Sequence, residues 1–165
     1  PKISKVIREG NIKLLHDNLN KLFLAISSYA LLIITFTVLL GSFVLDILLG
    51  DEYSESYPML IVLICSLLFT SVGLIRGVYL IANNYVKESF LFNFLGAVAN
   101  IILNILLIPK YGGIGSAFAT LISYSISSYF SCFLLKKLHP IGWLITKNLI
   151  APIRLVSLFL NRKKI

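Results

Sequence analysis

Hydrophobic residues in this chain fall into long runs separated by short polar islands. Leu22 to Leu45, Phe90 to Ile108 and Ile114 to Leu135 contain no Asp, Glu, Lys or Arg, and Met59 to Asn83 contains only Arg76. A hydrocarbon core roughly 30 Å thick takes about 20 residues of helix, each rising about 1.5 Å, so each run is long enough to cross it. Barrel strands would alternate polar and apolar over about ten residues, whereas these runs are apolar on every side. The pattern predicts an all-α integral membrane protein with four transmembrane helices, at about 22–45, 59–83, 90–108 and 114–135.

The islands supply the connections. Ahead of the first run, Ile3, Val6, Ile7, Leu14 and Leu15 are spaced among charges as in a helix lying along an interface or continuing from an earlier span, with a break at Gly10-Asn11. Between the first two runs, Gly50 can end a helix in the left-handed conformation and Pro58 suits the first turn of the next. Tyr53 and Tyr57 fall where amphipathic rings prefer the headgroups. Pro109 to Gly115 is so short a link that the third and fourth spans form an antiparallel hairpin, with Pro109 ending one helix and the glycines permitting the turn. Ile141 to Leu160 is long enough to cross, but Lys147 and Arg154 interrupt it and Pro152 breaks it. Each charge near mid-membrane costs about 2.5 to 3.5 kcal/mol, so the tail is expected along the cytoplasmic interface with Trp143 as an anchor. The chain thus divides into a cytoplasmic amphipathic or linker segment at 1–21, a transmembrane domain at 22–137 and a basic interfacial tail at 138–165.

Charge then orients the helices. Only 13% of the residues are charged, and the net charge is +8. Lys2, Lys5, Arg8, Lys13 and Lys21 precede the first span, the loop after it holds Asp46, Asp51, Glu52 and Glu55 with no cation, and the tail from Lys136 is basic. Positive residues favour the cytoplasmic side, so both termini are expected inside and the acidic loop outside. Lys87 agrees with that order, and Lys110 opposes it. The basic balance is therefore topological, and no nucleic-acid partner is expected. The acidic loop reads as solvated surface obeying the same rule. Cys65 and Cys132 lie within spans without metal-ligand spacing and read as small packing residues. His16 and His139 lie in the flanks with no nucleophile or carboxylate arranged near them, and no phosphate-binding glycine loop occurs. Neither an enzyme, a metal site nor a cofactor is expected. The first residues are polar, begin with Pro1 and carry no signal-peptide pattern, so the sequence reads as the C-terminal piece of a longer protein.

Polar residues within the spans carry the candidate chemistry. Burial of apolar groups drives little helix association in lipid, so small and polar residues mark the faces that meet. Asn93, Ala97, Asn100 and Asn104 recur at helical spacing in the third span, and Gly115, Ala119, Ser123, Ser127 and Ser131 recur every four residues in the fourth, with Thr120 and Tyr124 beside them. Helix packing and a water-filled pathway both fit the asparagines, while packing is the simpler reading of the serine seam. Arg76 lies about two turns from the cytoplasmic end of its span. It either snorkels toward water or faces a hydrated cavity, where a guanidinium would suit phosphate. The substrate-cavity candidates are Arg76, Asn100, Asn104 and Thr120.

The stretch Asn100-Ile-Ile-Leu-Asn104-Ile-Leu-Leu-Ile-Pro109-Lys110-Tyr111-Gly112-Gly113-Ile114-Gly115-Ser116-Ala117-Phe118-Ala119-Thr120 resembles the motif joining the penultimate and last core helices of the polysaccharide biosynthesis protein family. These are the Wzx-type flippases of lipid-linked oligosaccharides, within the multidrug/oligosaccharidyl-lipid/polysaccharide exporter superfamily. Pro1-Lys2-Ile3-Ser4-Lys5, Glu9-Gly10-Asn11, Leu49-Gly50-Asp51-Glu52-Tyr53 and Asn83-Asn84 add weaker matches in the right order. The resemblance implies a two-lobed bundle around a central cavity, in a bacterial inner membrane, to which this chain supplies the last four core helices. An N-terminal lobe of the same protein and the bilayer would be its partners, and a polyprenyl-diphosphate-linked oligosaccharide its substrate. Arg76 would be a candidate contact for the diphosphate or sugar, although no family motif fixes its position. A drug or metabolite antiporter of the same superfamily and a non-transporting membrane scaffold are the alternatives.

Overall fold

The computed structural model describes residues 12–149, all of it helices and the short turns between them. The expectations for the first ten residues, the Gly10-Asn11 break and the tail beyond 149 lie outside the described residues.

Helix α1 runs Ile12–Leu49 without a break, so the polar residues ahead of the apolar run continue the same helix. At about 1.5 Å per residue its 38 residues far exceed one crossing. It stops at Gly50, whose φ of 90° an L side chain rarely adopts. The acidic connection is itself ordered, as a 3-10 helix over Asp51–Ser56. Helix α2, Tyr57–Ala82, begins with proline in its first turn, where the missing N–H is not needed. Its Tyr57 hydroxyl donates to the Val38 carbonyl of α1 at 2.7 Å. Gly41 makes room there, since a Cβ on it would stand 3.0 Å from the Tyr57 ring. At the other end, Asn84 turns the chain with φ 59°, a conformation asparagine tolerates better than most residues.

Val86–Ser128 is a helix broken at Gly112, with φ 57° and ψ −137°. We call its arms α3, 86–111, and α4, 113–128. The reversal falls at Gly112 rather than at Pro109, because only glycine enters that region freely. Contacts between the arms run antiparallel. A Cβ on Gly115 would meet the Leu107 backbone at 2.5 Å, Asn100 bonds Ser123, and Ser127 bonds Asn93. Beyond Ser128 the chain tightens into 3-10 turns at Phe130–Phe133 and Lys136–Leu138, so the run expected as one span to Leu135 is not a continuous α-helix. A final helical stretch, α5, occupies 139–149.

The core sits at one end of the bundle. Leu19 and Phe23 of α1, Val72, Ile75 and Leu80 of α2, Phe92 of α3, Cys132, Leu138, and Ile141 and Ile145 of α5 pack together there. Ile141, Ile145 and Asn148 share one face of α5, and Asn148 Nδ2 donates to Asn20 Oδ1 at 2.7 Å. Trp143 points the other way, 65% exposed, with its ring edge-on to Phe133. The described part of the tail is therefore packed onto the bundle end.

Elsewhere the surface is apolar. Tyr29, Leu32, Phe36, Leu39, Phe43 and Ile47 form an exposed stripe along α1. Such a stripe is the surface a hydrocarbon solvent requires rather than an aqueous one. Three segments, Asp17–Leu49, Glu52–Ala82 and Val86–Phe133, are long and apolar enough to cross a membrane. The third, at 48 residues, contains the Gly112 reversal and so provides two crossings. The protein is an all-α integral membrane protein.

Candidate functional site: a polar groove along the α3–α4 hairpin

Two helices of small and amide residues can approach closely, and this approach builds the site. Gly96 packs so near α4 that a Cβ there would stand 2.6 Å from Ser127 Cβ. Above and below this contact the polar residues of α3 and α4 line a groove of about 340 Å³, formed by Asn93, Gly96, Ala97, Asn100, Thr120, Ser123, Tyr124 and Ser127.

The hydroxyls are largely tied to their own helix. Thr120 Oγ1 donates to the Ser116 carbonyl at 3.0 Å and Ser123 Oγ to the Thr120 carbonyl at 2.9 Å. Such back-bonding leaves the oxygen lone pairs available across the groove. Asn100 Nδ2 uses one, donating to Ser123 Oγ at 3.1 Å. Asn104 stands one turn further on and braces Asn100, its Nδ2 donating to the Asn100 carbonyl at 2.9 Å and to Asn100 Oδ1 at 3.0 Å. Asn104 Oδ1 is buried with no partner among the described residues.

Arg76 closes the wall at the core end. It is only 2% exposed. Its Nη1 donates to the Ser127 carbonyl and, at 3.0 Å, to Ser131 Oγ, while Nη2 donates to Asn93 Oδ1 at 3.1 Å. The guanidinium also lies 5.5 Å from the Phe92 ring centroid. Gly73, one turn earlier on α2, permits this docking, since a Cβ there would meet Ser128 Oγ at 2.7 Å. A second hollow of about 480 Å³ passes Thr70, Gly73, Arg76, Gly77 and Ser89, and shares Asn93, Tyr124 and Ser127 with the first. Leu74, Val78 and Ile81 make the rest of the second hollow largely apolar, and the two hollows meet at Asn93, Tyr124 and Ser127 between α2, α3 and α4.

Of the four cavity candidates, Asn100 and Thr120 line the groove, Asn104 stands behind Asn100, and Arg76 lines only the second hollow, bonded to Asn93 and Ser127. Neither hollow is lined by Asp, Glu or Lys. Asn93, Ser123, Tyr124 and Ser127 stood in the polar stripes read from the sequence but not among the four cavity candidates, and the structure adds them to the lining. Their signal was present in the four-residue serine period and in a glycine between Asn93 and Asn100. No group of three or more His, Cys, Asp or Glu residues comes together among the described residues, and both cysteines are free thiols. Outside the groove, Lys137 pairs with Glu88 and lies 4.4 Å from the Tyr85 ring centroid, joining the start of α3 to the turn before α5.

Three curated relatives resemble this chain. An uncharacterized membrane protein of Methanocaldococcus jannaschii is 33% identical over 84% of the chain and 27% of its own length. The capsular polysaccharide biosynthesis protein CapF of Staphylococcus aureus is 32% identical over 55% of the chain and 23% of its own length. A Haloferax volcanii protein named "Probable low-salt glycan biosynthesis flippase Agl15" is 31% identical over 65% of the chain and 24% of its own length. The chain thus spans about a quarter of the length of the curated relatives it matches. No family model matches it, and no solved structure does.

Proposed function

We propose that this chain forms the C-terminal helices of a transporter that moves a polyprenyl-diphosphate-linked oligosaccharide across the plasma membrane, from the cytoplasmic to the outer leaflet, for surface polysaccharide synthesis. The observation that carries this reading is the continuous polar groove along the α3–α4 hairpin, within helices whose outer faces are apolar. An unsatisfied hydroxyl or amide in hydrocarbon costs several kcal/mol, so a glycan crosses only along a path that offers it partners. A lipid tail needs no such path and can remain in the bilayer. The names of CapF and Agl15 support the reading, and the family resemblance of the stretch Asn100 to Thr120 agrees with it. The remaining helices, an N-terminal lobe of the same protein, would close the cavity from the other side.

The test is genetic and uses the full-length protein. Asn100→Leu combined with Thr120→Val leaves side chains of similar size and removes two of the polar groups that line the groove from facing helices. At normal protein levels the pair is expected to strip glycan from the cell surface and to accumulate the lipid-linked precursor. Unaltered surface glycan would remove the groove from the transport path. An antiporter of drugs would instead leave glycan intact and change drug tolerance.

A further inference from the structure

The groove has a chemical bias that narrows its ligand. We propose that it is a subsite for uncharged sugar rings, with Tyr124 as the surface on which a ring lies, and that the anionic part of a substrate is held elsewhere. This inference rests on the transport reading above but concerns only what the groove binds.

Three observations carry it. First, the lining offers neutral groups that both donate and accept. Asn93 Nδ2 and the Tyr124 hydroxyl have no hydrogen-bond partner among the described residues, and Thr120 Oγ1 and Ser123 Oγ present lone pairs. A sugar ring carries hydroxyls round its edge that need both roles at once. Second, Tyr124 is 44% exposed and borders both hollows. An aromatic ring gives an apolar face to the C–H surface of a sugar and a polar tip to its rim. Third, charge is withheld. Neither hollow has an acidic residue to favour a cation, and the only cation beside them is Arg76. It lines only the second hollow and is 2% exposed there, its two terminal nitrogens already serve Ser127, Ser131 and Asn93, and only Nε is left without a partner among the described residues. A diphosphate is bound by several converging N–H groups or cations, whereas the α3–α4 groove is lined by no cation and offers one open amide, Asn93 Nδ2.

The experiment is saturation-transfer NMR on the full-length protein in lipid nanodiscs, with maltotetraose and chitotetraose as uncharged probes and pyrophosphate as the anionic one. At least one tetrasaccharide is expected to bind, and an equal concentration of pyrophosphate to leave it bound. Tyr124→Ala should weaken that binding about fivefold, and Tyr124→Phe far less, the scale of one aromatic contact. Displacement by pyrophosphate, equal binding to the Tyr124→Ala variant, or no binding of either sugar would each overturn the subsite. The transport reading fails separately. Deleting the gene would then leave surface glycan unchanged, whatever the sugars do in the nanodisc.

Discussion

Arg76 shows how one side chain can serve a fold at a cost. Moving a guanidinium out of water is expensive, and it persists only where acceptors converge on it. Here Asn93 of α3, Ser127 of α4 and Ser131 of the 3-10 turn after it converge, so Arg76 bolts α2 to both arms of the hairpin. Bonds to a charged donor contribute about 1.5 to 3 kcal/mol each, offset by desolvation. Arg76→Ala, which leaves Asn93 and the Ser127 carbonyl without that donor, is expected to destabilise the full-length protein by about 2 kcal/mol. Thermal unfolding in detergent measures this, and an unchanged midpoint would contradict the bolt. The sequence made Arg76 conspicuous as a lone charge in an apolar run. Its partners were not legible, because a helical pattern records which residues share a face and not which helix that face meets. Asn93 and Ser131 therefore looked like members of two separate stripes.

Among the elements, the α3–α4 hairpin was the most readable, since Pro-Lys-Tyr-Gly-Gly leaves no length for anything but an antiparallel return. The turn depends on one backbone conformation. Gly112 sits at φ 57° and ψ −137°, where a side chain costs about 1 to 3 kcal/mol. Gly112→Ala should lower the unfolding midpoint accordingly, whereas Gly77→Ala, which has open space around the added methyl, should not. Equal effects of the two would argue against a strained turn. Closeness of the arms rests on Gly96. Gly96→Ala pushes a methyl into Ser127, so destabilisation of about 1 to 3 kcal/mol is expected, with partial recovery in Gly96→Ala/Ser127→Gly. Additive losses in the double variant would contradict the contact. The end of α4 was less legible. Nothing in the apolar run to Leu135 announces the change to 3-10 turns, which coincides with the Arg76 bonds to Ser127 and Ser131.

For the whole molecule, hydrophobic length alone established the membrane class, because no other solvent tolerates so much apolar helix surface. The long-range packing of α5 was hidden. Asn20 and Asn148 each look like ordinary polar flank residues, and only the fold brings them together. Asn20→Cys and Asn148→Cys, in a background lacking Cys65 and Cys132, are expected to be joined by a short bifunctional maleimide and to leave the protein folded. Failure of that reagent to link the two positions would separate α5 from the bundle. At this scale the central claim is that the hairpin groove lies on the path of a glycan crossing the membrane. The most direct measurement is transfer of a lipid-linked oligosaccharide between leaflets of proteoliposomes holding the full-length protein, read by glycan access to an external lectin. The expected result is rapid transfer by the native protein and roughly a tenfold or greater loss, about 1.4 kcal/mol or more, in Asn100→Leu/Thr120→Val at equal reconstitution. Equal transfer rates for the two proteins would contradict it.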